Sequence, residues 1–208
     1  MIEVPGFEAD DLIATLAARA RADGFEVVIE SGDKDLLQLV GPGILAHDPL
    51  KDLVMDRDGV IARLGVPPEG VRDYLALVGD ASDNVPGVAG IGAKGAAELI
   101  ARFGSLEGVY AHLDDMSPRK RDQLLAGRDA AFLSRDLIAL RTDVPIAQSV
   151  MDLRPTDPDR TMLRELFTEL EFGAMLRELG TASEPALFDA GPVTPTSTVT
   201  LLSSIGDL

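Results

Sequence analysis

The chain has 208 residues, 46% of them hydrophobic, and a formal net charge of −16. That length suits one or two domains with a buried core, and the lack of cysteine excludes disulfides and thiolate metal sites. No apolar run reaches bilayer length, and the opening "MIEVPGFEADD" has no basic leader followed by an apolar stretch, so the expectation is a soluble cytoplasmic protein without a membrane partner. In chain order, residues 8–23 carry Leu12, Ile13, Leu16, Ala17 and Ala20 at helical spacing. Pro5 and Gly6 punctuate the start of this helix and Gly24 ends it. "FEVVIE" at 25–30 is a short β-branched run and predicts a buried strand. Helix, glycine and strand make half of a parallel α/β unit.

A helical turn is expected at 33–39, then two short strands, "GILAHDP" and "KDLVMD", paired as a hairpin around a proline-containing turn. "DRDGVIARLG" and "PPEGVRDYLALVG" predict helices, the second with prolines at its start. From about residue 85 the character changes to short helices broken by glycine, with Ser105 and Ser117 as N-caps and Pro118 in a first helical position. A loop through 142–159 leads to one last helix at 159–179. Beyond Gly180 the chain is rich in proline, threonine, serine and glycine, a linker-like composition that predicts disorder. The expected division is thus an α/β core at 1–84, a helical subdomain at 85–180 and a tail at 181–208.

Three acidic groups stand out: Glu8, Asp10 and Asp11 in the first turn of a helix, Asp33 and Asp35 past the end of a strand, and Asp80 and Asp83 after a helix. Each has a bland explanation. Acids favour the positive end of a helix dipole, an aspartate after a strand caps the next helix, and "GDASDN" makes an Asx-rich turn. Jointly they suggest more, because ligands of α/β folds bind in the crevice beyond the strand C-termini. Carboxylates crowded there raise each other's pKa, and hard divalent cations such as Mg²⁺ or Mn²⁺ relieve the repulsion. A pair of such ions serves phosphodiester cleavage. Neither His47 nor His112 sits in a recognisable catalytic setting, and both are read as surface or capping residues. The net charge argues against nucleic acid if the acids are evenly spread, but bound cations invert the local sign.

"VPGVAGIGAKGAAELI" has a specific shape. Gly87, Gly90 and Gly92 permit left-handed angles and close approach of another molecule. Val88 and Ile91 are apolar anchors, and the helix opening at Gly92 presents N–H groups to a phosphate beside Lys94 and Gly95. This is the pattern of a helix–hairpin–helix grip on a DNA backbone, which positions without reading bases. A glycine-rich connection made only for packing is the alternative. Arg119, Lys120, Arg121 and Arg128 either extend the backbone contacts or form a solvated helix face.

Together "PGFEADDLIATLA", "SGDKDLLQLV", "LVGDASDNVPGVAGIGAKGAAELI", "FGSLEGVY", "LRTDVPI" and "LEFGAMLREL" resemble the 5′-nuclease, or flap endonuclease, family over about residues 2–180. The resemblance implies a PIN-like, Rossmann-like α/β nuclease core followed by a helical DNA-binding subdomain. It implies metal-dependent cleavage of DNA at 5′ ends and 5′ flaps near duplex junctions, in the bacterial cytoplasm with the nucleoid. By motif match, Glu8, Asp10 and Asp11 correspond to a first metal cluster, and Asp33, Asp35, Asp80 and Asp83 to a second. The hairpin turn corresponds to the duplex-binding element, with a potassium ion on its carbonyls. Family members begin with an aspartate-bearing strand and a helical arch, and neither is found in this sequence. A missing N-terminal nuclease segment and C-terminal polymerase domains are therefore expected partners. An exposed sheet edge, retained duplex binding and weak cleavage are also expected. A non-catalytic DNA-binding module and a metal-dependent small-molecule phosphatase remain the other readings.

Overall fold

A computed structural model describes residues 1–181 and 198–202. The chain divides into two compact units, Met1–Ala147 with Ser197–Leu208, and Gln148–Thr196. In the first unit α1 (Ala9–Ala22) leads through Gly24, at φ +88°, into strand β1 (Glu26–Glu30). A 3₁₀ turn at Asp35–Leu39 precedes β2 (Ile44–Asp48) and β3 (Leu53–Met55). These two strands pair antiparallel, as the expected hairpin. β1 pairs parallel with β2, Val27 opposite Ile44. Val27 and Ile29 alternate into the core while Glu26 faces solvent, the period of a strand with one covered face.

β4 (Thr198–Leu202) lies parallel along the other side of β1, Val28 opposite Thr200, so the sheet order is β3-β2-β1-β4. One expectation changes here. The reading of 181–208 as a disordered tail falls outside the described residues at 182–197 and 203–208, and Thr198–Leu202 is a strand. Among the described residues the sheet ends on β3 and β4. Five residues, "TVTLL", carry the β-branched alternation that suits a strand, but the surrounding proline and serine dominate the composition and hide it.

Helices α2 (Arg57–Leu64), α3 (Pro68–Val78), α4 (Ala93–Phe103), α5 (Leu106–Ala111), α6 (Pro118–Ala126) and α7 (Arg128–Leu137) follow. Ser105 caps α5, its hydroxyl accepting from the Gly108 N–H at 3.1 Å, whereas the Ser117 side chain makes no cap bond. α3 is the central pillar. Val71, Tyr74, Leu75, Ala76 and Leu77 are all buried in one cluster with Val88, Ile91, Leu99 and Ile100. Each buried Val, Leu or Ile among them contributes about 1.5–3 kcal/mol by leaving water. The acidic core and the helical region therefore share packing around one helix. In the second unit the single expected last helix is two, α8 (Arg160–Glu169) and α9 (Gly173–Thr181). Glu171, at φ +57°, breaks the run, and the Phe167 and Phe172 rings meet at 6.3 Å across the break. No helix among the described residues is long and apolar enough to cross a membrane.

Candidate metal and nucleic-acid site

The first acidic group opens α1. Glu8 is the N-cap residue, its side chain making no cap bond, and Asp10 and Asp11 occupy the first turn. α1 is held by the segment after α7. The Asp11 carboxylate accepts from the Arg141 N–H at 2.8 Å, and Thr15 Oγ1 accepts from the Val144 N–H at 3.2 Å. Arg19 donates to the carbonyls of Ile146 and Val144, both at 2.9 Å. The Arg141 guanidinium lies 4.8 Å from the Phe7 ring centre. A cleft of about 250 Å³ opens between these elements, lined by Glu8, Asp10, Asp11 and Asp35 on one side and Leu137–Arg141 on the other.

The second group follows β1. Asp33 is held locally: its carboxylate accepts from the Asp35 N–H at 2.9 Å, but Lys34, not Asp33, is the N-cap of the 3₁₀ turn, and no side-chain cap bond forms there. Asp35 is different. Its Oδ1 is buried without a hydrogen-bond partner. A buried acceptor left unsatisfied costs about 1–3 kcal/mol and fits a site that takes a cation.

The third group sits in a closed loop. Asp80 and Val85 exchange backbone bonds at 2.9 and 2.7 Å around the turn that holds Asp83, with Asn84 at φ +57°. The Asp80 carboxylate accepts from the Ser82 N–H at 2.9 Å and also pairs with the ammonium of Lys34. That pair ties the loop after α3 to the turn after β1.

These groups share one electrostatic neighbourhood. Burial, then the charges of Asp33, Glu8, Asp11 and Asp83, push the Asp10 carboxyl up to about 6. Burial and the charge of Asp33, joined by Asp80 and Asp83 against the pull of Lys34, push Asp35 up to about 7. Burial and Asp80 raise Asp83. Burial also pulls Asp80 upward, but the Lys34 ammonium and Ser82 outweigh it and hold this carboxyl well below the usual range. Among the described residues, however, no three such side chains converge tightly enough to hold one ion. Lys34 engages one of these carboxylates, that of Asp80.

The hairpin turn follows directly. Val88 and Ile91 are buried anchors, with the Val88 N–H on the Leu77 carbonyl at 2.9 Å and the Ile91 N–H on the Val88 carbonyl at 3.0 Å. The Gly87 N–H donates to the buried Ser134 hydroxyl at 3.0 Å. Gly90 has φ +83°, and the Gln123 amide packs where its Cβ would be. Gly92 caps α4 without a side-chain bond, and Gly92, Ala93 and Lys94 are exposed, with Gly95 half-buried. The turn thus presents uncapped N–H groups and a lysine to solvent, the geometry that suits a phosphate oxygen. The basic cluster contributes less than its count suggests. Arg121 pairs with Asp114 at 3.0 Å, Lys120 lies 3.9 Å from Glu98, and Arg128 stacks on the Tyr110 and Phe132 rings; Arg119 is exposed.

Sequence reasoning missed Lys34, Arg141, Ser134 and Gln123 as site residues. Lys34 was visible between the two aspartates of "GDKD", and Arg141 in "LRTDVPI", but their partners lie 46 and 130 residues away. His112 caps the end of α5, its Nδ1 2.8 Å from the Gly108 carbonyl, and His47 sits between Glu30 and Asp52 outside the site.

The chain is similar to known proteins. A family model described as the 5′–3′ exonuclease N-terminal resolvase-like domain matches residues 1–65, and one described as the 5′–3′ exonuclease C-terminal SAM fold matches residues 66–161. The thermostable DNA polymerase I of Thermus thermophilus is 43% identical over 194 residues, which cover 93% of this chain and 23% of that protein. The 5′–3′ exonuclease of Aquifex aeolicus is 41% identical over 192 residues, 90% of this chain and 65% of that one. A solved structure of T5 5′-exonuclease with divalent metal ions (zinc) bound matches with a TM-score of 0.63 at 25% identity, over 68% of this chain and 53% of that one. The chain spans under a quarter of the length of the polymerase it matches and about two thirds of the Aquifex exonuclease.

Proposed function

This chain belongs to the 5′–3′ exonuclease family, and from that premise we propose that it works as a nuclease domain, hydrolysing DNA phosphodiesters at 5′ ends and 5′ flaps with divalent metal ions. The observation that carries the reading is the fusion of the two functional elements. The loop of Asp80 and Asp83 is closed by its own backbone bridge and continues within a few residues into the phosphate-facing turn at Gly90–Gly92. A strand held by that turn lies near the carboxylates without a flexible connection between them.

The donor chemistry suits a hard cation. The donor set is all carboxylate oxygen, one oxygen of Asp35 lacks any partner, and Asp10 and Asp35 are pushed up as burial and neighbouring negative charge require. We assign Glu8, Asp10, Asp11, Asp33, Asp35, Asp80 and Asp83 to hold Mg²⁺ or Mn²⁺ in a two-metal arrangement, and the carbonyls of the hairpin turn to hold potassium. When bound, the divalent ions supply an activated water and neutralise charge on the leaving oxygen. The chain's own residues position the substrate. The N–H groups at the start of α4 and the Lys94 ammonium hold a phosphate, and buried Val88 and Ile91 keep the turn in register against α3. The partners proposed are a DNA duplex with a 5′ end or flap and, given the polymerase relative, further domains of a longer polymerase in the bacterial cytoplasm, at the nucleoid.

A second reading, a structure-selective DNA-binding module without cleavage, is favoured by one observation: no three of the acids converge on a single point. Incubation with a 5′-labelled flap duplex separates the two. Short 5′ products that require Mg²⁺ and vanish with chelator support the nuclease. Salt-sensitive binding without products supports the binding module. Turnover of p-nitrophenyl phosphate without duplex affinity contradicts both.

A further inference from the structure

Lys34 is the only basic side chain paired with a carboxylate of the acidic surface through its own side chain, among the described residues. It stands between Asp33 and Asp35 in sequence and reaches across to Asp80, whose side chain is 10% exposed. The charges of Asp80, Asp35 and Asp33 all act on it, and it also acts on the buried Tyr74 hydroxyl of α3. A lysine is a compact point charge on a flexible stem, so it can leave Asp80 without disturbing the backbone around it. The loop keeps its shape by other means: the Asp80–Val85 backbone bridge and the Ser82 bonds to the second oxygen of Asp80.

We propose that Lys34 is a built-in counter-cation that occupies Asp80 until a divalent ion displaces it. The inference rests on the metal reading above and deepens it. The ammonium and the ion compete for one carboxylate, so the observed affinity is the intrinsic affinity reduced by the fraction of chains in which Asp80 is free. Lys34 is then a positioning residue. It holds the loop after α3 against the turn after β1 when no metal is present, and it makes binding of the ion at Asp80 a displacement rather than an addition.

The test is Mn²⁺ binding to the full chain, followed by calorimetry and by loss of the free-ion electron paramagnetic resonance signal. The variants are Lys34→Gln, Lys34→Met and Lys34→Arg. Gln and Met are expected to tighten Mn²⁺ binding about five- to tenfold and to lower the melting temperature of the metal-free chain. Arg, which keeps the charge, is expected to return the affinity to near wild type. Unchanged or weaker binding in a folded Gln or Met variant overturns the proposal, as does Arg behaving like Gln. Two uncharged variants of different polarity are used because one alone could fail to fold. If the wild-type chain binds no Mn²⁺ at all, the metal reading itself fails, a result distinct from binding that ignores Lys34.

Discussion

Gly79 and Gly87 lie back to back. A Cβ on Gly79 would stand 2.8 Å from the Val85 carbonyl oxygen and 2.9 Å from the Gly87 nitrogen, and one on Gly87 would stand 2.5 Å from the Gly79 nitrogen. Both residues also have positive φ, +77° and +60°. The aspartate loop enters and leaves through this contact, which leaves no room for a side chain between its two ends. Gly79→Ala or Gly87→Ala is expected to destabilise the chain by roughly 2–4 kcal/mol, from left-handed strain plus a clash with backbone. Urea unfolding at constant slope measures it. A loss below about 0.5 kcal/mol would mean that the contact is loose.

Stability without divalent ions should fall as pH rises. In the folded chain Asp10 and Asp35 hold their protons up to about 6 and about 7, against an ordinary value of 3.8. Between roughly pH 4 and 7 the folded state therefore binds more protons than the unfolded one, which gives stability a negative slope with pH. Asp80 has the opposite sign: its folded value is depressed, so its contribution is present above about pH 4 and fades only in stronger acid. Asp35→Asn should raise the melting temperature of the metal-free chain at pH 8 by a few degrees, on the order of 1 kcal/mol, and change it little at pH 4. Mg²⁺ should stabilise the wild type at pH 8 more than at pH 5. Thermal melts at the two pH values, with and without Mg²⁺, check both signs.

The tie between α1 and the segment after α7 is also open to test. Arg19 satisfies the carbonyls of Val144 and Ile146, two nearly inaccessible residues. Arg19→Met keeps the packing of the stem but leaves both acceptors without a donor, and is expected to cost about 2–3 kcal/mol. Because Asp11 is held by Arg141 on the same segment, the variant should also weaken metal binding. Unchanged unfolding midpoints would show that water replaces the guanidinium freely.

Deleting Ser197–Leu208 removes β4 and leaves β1 with one unpaired side. An open, flat edge invites pairing with a second copy. Concentration-dependent association in sedimentation velocity, and faster amide exchange at Val27–Ile29, are the expected outcomes. A truncated chain that stays monomeric with unchanged exchange would show that β4 adds nothing to the sheet.

What could be read from the sequence divides by the range of the interactions involved. α1, β1, the β2–β3 hairpin and the glycine turn depend on local periodicity and on glycines whose required angles are visible in the chain, such as Gly24 and Gly90. The break at Glu171 was not legible, because a non-glycine residue takes the left-handed angle there and the apolar spacing continues on either side. β4 was not legible because its pairing with β1 spans most of the chain. The acids themselves were found at once as residue types, but their condition was not. Asp33 accepts from the nearby Asp35 N–H, Asp11 is bound to Arg141, Asp80 is bound to Lys34, and Asp35 keeps a buried oxygen without a partner. The partners of Asp11 and Asp80 lie far away in sequence.

The central claim is that the carboxylates hold divalent ions acting on a strand gripped by the hairpin, and separating grip from cleavage tests it most directly. Flap-duplex affinity measured in Ca²⁺ and single-turnover product formation measured in Mg²⁺ are compared for the wild type, Asp35→Asn and Lys94→Ala. The account predicts that Asp35→Asn slows Mg²⁺-dependent product formation at least tenfold with duplex affinity unchanged, and that Lys94→Ala weakens affinity and its salt dependence with the rate at saturation preserved. Products formed equally well in chelator, or the two variants failing in the same way, would contradict it.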